Sequence, residues 1–316
     1  MIIEVAQDAG APGQTALALL IPGGHGQLGS DLATLGLGYG TVHAPGSGEL
    51  DVTDVAAVRS AVARLADTAR ADGRLPVVVN AAAYTAVDAA ESDVDGATAV
   101  NSFAPGLLAQ ACALHGVPLL HVSTDYVFPG DASTPYEPDA PIGPRSVYGR
   151  TKLAGEQAIL AAGADAWIVR TSWVYGAAGK NFVKTMARLE NQRDTLSVVD
   201  DQHGSPTWSA HLAAGLLELA GRAAHGTGPA RRVLHCTGGG VTTWCGLAKA
   251  VFSELGADPD RVRPCTTADY PLPAPRPAYS VLSAASWHEA GLAPMPDWRD
   301  ALSSFVIDNK DVLVTG

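Results

Sequence analysis

Ala16-Leu17-Ala18-Leu19-Leu20-Ile21-Pro22-Gly23-Gly24-His25-Gly26-Gln27-Leu28-Gly29 is the stretch that decides the fold. A compact apolar run passes directly into G-x-x-G-x-x-G, carried by Gly23, Gly26 and Gly29, and a helix-period segment follows at once. Glycines at these positions let the backbone turn tightly and approach a pyrophosphate. The charge of that group would be met by free N–H groups and the positive dipole end of the next helix. With 34 glycines in the chain, chance alone yields roughly 0.4 such spacings, so the placement between strand and helix carries the argument. Pro22 fits less well, because it ends the strand without an N–H donor.

Working outward, further apolar runs at 77–80, 119–123 and 167–171 read as strands. Between them Val55, Val58, Val62 and Leu65 recur at helical spacing, with Thr53 or Asp54 placed to cap. Alternation of this kind predicts an α/β fold with a doubly wound parallel sheet. Beyond about residue 175 the rhythm loosens into a helix over 181–191, a strand over 196–199, a helix around 210–223 and a strand over 233–236. Four prolines between 269 and 277 read as an extended arm, and an amphipathic helix closes the chain near 298–307. The expected division is a dinucleotide-binding unit over 1–175 and a smaller, mainly substrate-binding unit over 176–316, with about 208–237 returning to the first. Residues 1–14 show no period and read as a tail.

Composition narrows the function. Asp and Glu number 32 against 21 Lys and Arg, and the resulting charge of −11 repels phosphate backbones and anionic membranes, so neither nucleic acid nor a membrane is an expected partner. Four cysteines at 112, 236, 245 and 265 form neither a CxxC pair nor a metal-ligand spacing, and read as reduced cytoplasmic thiols. The first basic residue is Arg59, so the positive region of a secretory signal is lacking, and no apolar run is long enough to span a bilayer. HExxH, G-x-S-x-G and the Walker A pattern are absent, and His203 and His211 read as ordinary surface or core histidines.

Two further segments carry chemistry. Tyr148-Gly149-Arg150-Thr151-Lys152 is Y-x-x-x-K at the start of a helix-period segment, and the i, i+4 spacing sets both heads on one face. An ammonium near a phenol favours the phenolate, so the pair is expected to bring Tyr148 closer to titration at neutral pH. Ser123-Thr124-Asp125 closes a predicted strand at its carboxyl end, where open α/β sheets place ligands. A hydroxyl there can bond a carbonyl oxygen and steady the charge that develops on it, although a lone tripeptide of this type more often caps a helix or turn.

Taken together, the glycine motif, the Asn80-Ala81-Ala82 segment and YxxxK resemble the extended short-chain dehydrogenase/reductase superfamily. Within it the chain is similar to the dTDP-4-dehydrorhamnose reductases. The strings that carry this run from Val79 to Asp88, His121 to Phe128, Val147 to Glu156 and Arg170 to Tyr175, then Asp200 to Thr207 and Pro275-Arg276-Pro277. The likeness spans about residues 16–305. It implies a Rossmann-like fold and NAD(P)H-dependent reduction of the C4 ketone of a dTDP-sugar, with Tyr148 as proton donor, Lys152 on the nicotinamide ribose and Thr124 beside the carbonyl. By the same resemblance Gly26, Gln27, Leu28, Asp51, Val52, Ala83, Tyr84, Thr85 and Val122 would contact the cofactor. Asp125 and Trp173 would line the sugar pocket, and Asn181 and Arg276 would meet the nucleotide diphosphate. Some members bridge a dimer with magnesium held by acidic residues. The corresponding positions here are Asp31 and Ala210, so no metal is expected, and the chain is expected to be a monomer or homodimer.

The cofactor choice is read at the end of the second strand. An NAD-selective site places an acid there on the ribose 2′-hydroxyl, but His43, Ala44 and Pro45 offer none. Ser47, a glycine-rich turn and His43 could accept a 2′-phosphate, while Glu49 and Asp51 are the nearest acids. NADPH is therefore expected, preferred by about tenfold, with NADH accepted; a reverse preference would imply that Glu49 folds back onto the ribose. Two other readings compete: a dTDP-4-keto-6-deoxysugar reductase of different product stereochemistry, and a non-catalytic regulatory subunit like the relative that serves methionine adenosyltransferase.

Overall fold

The computed structural model describes residues 15–314; the tail expected at 1–14 lies outside them. Six parallel strands form the central sheet: β1 (Leu17–Leu20), β2 (Gly40–His43), β3 (Leu75–Asn80), β4 (Leu119–Thr124), β5 (Ala166–Thr171) and β6 (Val233–His235). Their spatial order is β2-β1-β3-β4-β5-β6. All four residues of β1 and all six of β5 are buried, as expected for parallel strands covered on both faces. The short sequence runs thus stand where the alternating pattern set them, and 233–235 joins the edge of this sheet beside β5.

Helices cover both faces. On one lie α1 (Gln27–Gly36) and, much later in the chain, Ser209–Ala224, packed over Leu17, Leu19, Val77 and Val169 through Leu32, Leu212, Leu216 and Leu217. On the other lie α2 (Val55–Ala71), α3 (Ala104–His115) and α4 (Val147–Ala161), which bury Val58, Val62, Leu108, Cys112 and Ile159 against Leu20, Val78, Leu119 and Ile168. The Asp54 side chain caps α2 by accepting from the Ala56 and Ala57 N–H groups, and Ser146 caps α4 through Gly149 N. A third cluster, with Val183, Met186, Leu247, Phe252, Leu302 and Phe305, belongs to the later elements. Those include the helices Phe182–Glu190, Trp244–Glu254 and Trp298–Asp308, and a two-stranded pairing of Leu196–Val199 with Val262–Cys265.

From β1 the chain moves one way to β2 and then crosses back to β3 on the other side, so the order reverses between β1 and β3. This is the point at which open α/β sheets leave a crevice. Gly23 stands there with φ +80, and a Cβ on it would lie 2.7 Å from Ala82 N. Only glycine fits both the left-handed backbone and the approach of the neighbouring strand's loop. Pro22, lacking a donor, instead accepts from Ala81 N at 3.0 Å, which ties the glycine turn to the end of β3. Among the described residues no helix is long and apolar enough to cross a membrane, and all four cysteines are free.

Candidate active site

A cavity of about 620 Å³ opens over the carboxyl ends of β1, β3, β4 and β5. One wall is Gly26, Gln27, Leu28 and Gly29 at the start of α1, a helix whose first turn has no side-chain cap and no acidic residue. Such an end leaves backbone N–H groups and the dipole to a negatively charged ligand. Gly29 cannot carry a side chain, since a Cβ would stand 2.1 Å from Gly23 O. Gly23 itself lies beneath the cavity rather than on its wall, shaping the turn. Ala81, Ala83, Thr85 and Val122 continue the lining along the ends of β3 and β4.

Tyr148 and Lys152 face this cavity together from α4. Lys152 is buried, donates to Val122 O at 2.7 Å and lies 3.1 Å from His121 Nε2. His121 is fully buried on β4, with Nδ1 3.0 Å from Asn80 Nδ2; desolvation and the Lys152 charge push its pKa well below the usual value. Burial lowers the Lys152 ammonium to about 8, against a raising effect from Glu156. For Tyr148 the structure corrects the expectation of an easier phenolate. Desolvation pushes its hydroxyl up to about 12, the charge of Asp125 adds to this, and a hydrogen bond with Thr124 opposes it. The lysine head is turned to the β4 backbone and His121, so Tyr148 stays a protonated donor.

Thr124 is buried at the end of β4, donating to Asp125 Oδ1 at 2.9 Å and accepting from Tyr126 N at 3.2 Å. Asp125 is 3% exposed, and its Oδ2 has no well-formed hydrogen bond. Desolvation raises its carboxyl to about 6 in spite of the Ser280 and Thr124 hydroxyls. Trp173, just past β5, has φ +47, the one non-glycine residue of positive φ among those described, and stacks on Trp244 with ring centroids 3.6 Å apart. Gly204 makes room for it, because a Cβ there would lie 2.3 Å from Trp173 Cε2. Asn181 caps the helix Phe182–Glu190 and donates to Gln27 Oε1 at 2.7 Å, while Gln27 donates to Val174 O at 3.1 Å. Arg276, on the proline-rich arm, pairs with Asp88 at 2.6 Å, and Ala274 N donates to the same carboxylate.

Among the other residues the sequence pointed to, Tyr84 is held by its backbone. Its N–H donates to Asn101 Oδ1 and its carbonyl accepts from Asn101 Nδ2, while its ring packs with Ala90, Ala97 and Val147. Asp51 and Val52 are not among the lining residues: Asp51 accepts from Thr53, and Val52 sits in the core beneath α2. Asp31 accepts from Ser209 Oγ, and among the described residues no group of three or more His, Cys, Asp or Glu is placed to hold a metal ion.

The sequence match to the profile of the RmlD substrate binding domain runs over residues 17–310. The chain belongs to the RmlD substrate binding domain family. Within reach of that family, it is 53% identical over 286 residues to the dTDP-4-dehydrorhamnose reductase of Streptomyces griseus, covering 90% of this chain and 91% of that one. It is also 48% identical over 288 residues to a probable dTDP-4,6-dihydroxy-2-methyloxan-3-one 4-ketoreductase of Streptomyces antibioticus, covering 90% and 92%. A crystal structure of dTDP-4-dehydrorhamnose reductase from Bacillus anthracis in complex with NADP superposes with a TM-score of 0.85 at 33% identity, over 93% of this chain and all of that one. The Rossmann-like fold expected from the sequence is therefore the fold found.

Several residues of this RmlD-family site carry no motif. Asn101 sits in a π-helical turn, Ala99–Phe103, from which it holds Tyr84 and donates to Thr151 Oγ1. His121, Asp88 and Trp244 reach the site only through tertiary contacts, although the first two lie within strings that carried the resemblance.

Proposed function

We propose that this protein reduces the C4 ketone of dTDP-4-dehydro-6-deoxy-L-mannose to dTDP-L-rhamnose, the last step of dTDP-rhamnose biosynthesis, with NADPH as reductant and NADH as a second choice. The observation that carries the reading is the convergence, in one cavity of a family member, of an uncapped helix start, the Tyr148–Lys152 pair and the Thr124–Asp125 edge. The glycine turn fits a dinucleotide, since a Cβ at Gly29 would clash with Gly23 O and push the turn off the helix start that would face the pyrophosphate.

In this reading the turn Gly23–Gly29, with Ala83, Thr85, Val122 and the backbone-held Tyr84, holds the cofactor. When bound, the reduced nicotinamide supplies a hydride to the ketone carbon. Tyr148, kept protonated by its surroundings, gives its proton to the ketone oxygen as negative charge develops there. Thr124 bonds the same oxygen, and Lys152 donates to the ribose and eases proton loss from Tyr148 at that moment. Asp125, with an oxygen left over, accepts from a sugar hydroxyl. The stacked Trp173 and Trp244 wall the sugar. A second cavity of about 520 Å³ shares Tyr126, Phe182, Trp244 and Arg276 with the first, and suits the nucleotide, with Arg276 at the junction and Asn181, which lines the first cavity alone, toward the diphosphate.

Residues 1–175 serve mainly the cofactor and 176–316 mainly the sugar nucleotide, with 208–237 packing back on the first part. A nucleotide-activated substrate and four free cysteines support a cytoplasmic enzyme, monomer or homodimer, and the charge of −11 argues against nucleic acid. The second reading is a dTDP-4-keto-6-deoxysugar reductase of other product configuration, favoured by the 48% identical ketoreductase relative. The test is NADPH oxidation with the 4-keto sugar nucleotide made fresh by the upstream epimerase, followed by assignment of the product's C4 configuration. Turnover to the rhamno product is expected; turnover to its epimer selects the second reading, and no turnover overturns both.

A further inference from the structure

Glu49 lies 20 residues past Gly29, the distance at which a nucleotide-binding sheet places the acid that reads the ribose 2′ position. It is not on β2 but six residues beyond, and the structure shows how it returns. Gly23 N and Gly24 N both donate to Pro45 O, at 3.1 and 3.0 Å, which locks the loop after β2 against the glycine turn. Gly24 lies so close to Ala44 that a Cβ would meet its carbonyl oxygen at 2.1 Å. The next residue of the turn, His25, lays its ring on Gly46, where a Cβ would stand 2.3 Å from Nδ1. Glu49 then folds back over this loop: its Oε2 accepts from Gly46 N at 2.9 Å and lies 3.4 Å from His25 Nε2.

We propose that Glu49 sets how strongly this protein distinguishes NADPH from NADH. The proposal rests on the glycine turn being the dinucleotide site. Against a plain ribose, the carboxylate is an acceptor for hydroxyls. Against a 2′-phosphate, it opposes a group of nearly two negative charges and occupies the Gly46 N–H that would otherwise donate to that group. Opposition is limited because Glu49 and His25 have side chains 63% and 71% exposed, so Glu49 can turn out and leave the N–H and the imidazole to the phosphate. No lysine or arginine lies in residues 1–58, so no neighbour in this part of the chain cancels the carboxylate. The same preference for NADPH expected from the bare β2 end is thereby held down by one residue from farther along.

Dissociation constants of NADPH and NADH, taken by fluorescence titration at one pH and low ionic strength, test this on wild type, Glu49→Gln, Glu49→Ala and His25→Ala. Both Glu49 variants should tighten NADPH by about three- to tenfold and leave NADH within twofold or weaker. His25→Ala should weaken NADPH and spare NADH. If both Glu49 variants keep the wild-type ratio within twofold, or move both cofactors together, the assignment to Glu49 is wrong while the site stands. If wild type binds neither cofactor, the dinucleotide site itself is wrong and this inference falls with it.

Discussion

The reacting end of the cavity and its aromatic wall are built in opposite ways. At the reacting end the side chains come from two regular elements, β4 and α4, and their polar atoms are largely paired within the protein. Lys152 meets Val122 O and His121, His121 meets Asn80, and Ser123 donates to Glu156, which in turn forks onto a buried Arg170. The wall is assembled from Trp173, Phe182, Trp244 and Arg276, drawn from four separated segments; it is held mainly by ring contacts and one ion pair, with single hydrogen bonds from Trp244 to Gln202 and from Arg276 to Ala274 O, and Trp173 is held in a left-handed backbone. Groups seated inside packed elements keep their geometry, whereas those on loops and at helix starts adapt to what they hold. The difference predicts that changes at the first end act on the chemical step and changes at the wall act on binding.

The strongest way to break that comparison is Tyr148→Phe, which removes the proposed proton donor and little volume. Turnover should fall by about 10²- to 10⁴-fold, with cofactor affinity within twofold of wild type. Steady-state kinetics beside a cofactor titration would show it, and a variant keeping half of the wild-type kcat would remove Tyr148 from the mechanism. A pH series sharpens the same end. Lys152 carries its proton below about 8 and loses it above, so in the proposed mechanism its charge-assisted donation to the cofactor and its help to Tyr148 would both weaken as pH rises through that value. The kcat/KM profile should fall on its basic side near pH 8, and in Lys152→Arg that limb should move beyond the accessible range, because the guanidinium stays charged. A limb that stays near 8 in Lys152→Arg would assign it to another group.

The same contrast explains which parts of the site are legible in the sequence. Tyr148 and Lys152 were visible because helical spacing alone puts them on one face, and the glycine turn because a strand and a helix flank it. The direction of the Tyr148 shift was not, since spacing shows that an ammonium is near but not that its head is turned to Val122 and His121 while the phenol is desolvated. Trp244 was invisible as a site residue. It opens an ordinary amphipathic helix, and its stack on Trp173 exists only once a bend past β5 and the Thr242–Thr243 strand are brought together. The return of Glu49 onto Gly46 likewise needs the loop closure itself, which no local pattern encodes.

Trp173 offers the finest test, because here binding and backbone strain can be separated. Truncating it to Ala or Gly removes the stack on Trp244, and both variants should raise KM for the sugar nucleotide by about tenfold, or roughly 1.4 kcal/mol, with kcat within twofold. Their stabilities should differ in an unusual order. At most positions Ala outranks Gly, because Gly has more chain entropy to lose. At φ +47 an Ala keeps the Cβ clash of the left-handed region, about 1–2 kcal/mol, while Gly is free of it. Trp173→Gly should therefore melt about one to two degrees above Trp173→Ala. Thermal melting of the two variants without ligands decides the matter: if Ala is the more stable, the positive φ is not held in the free protein, and the wall is looser than its stacked geometry implies.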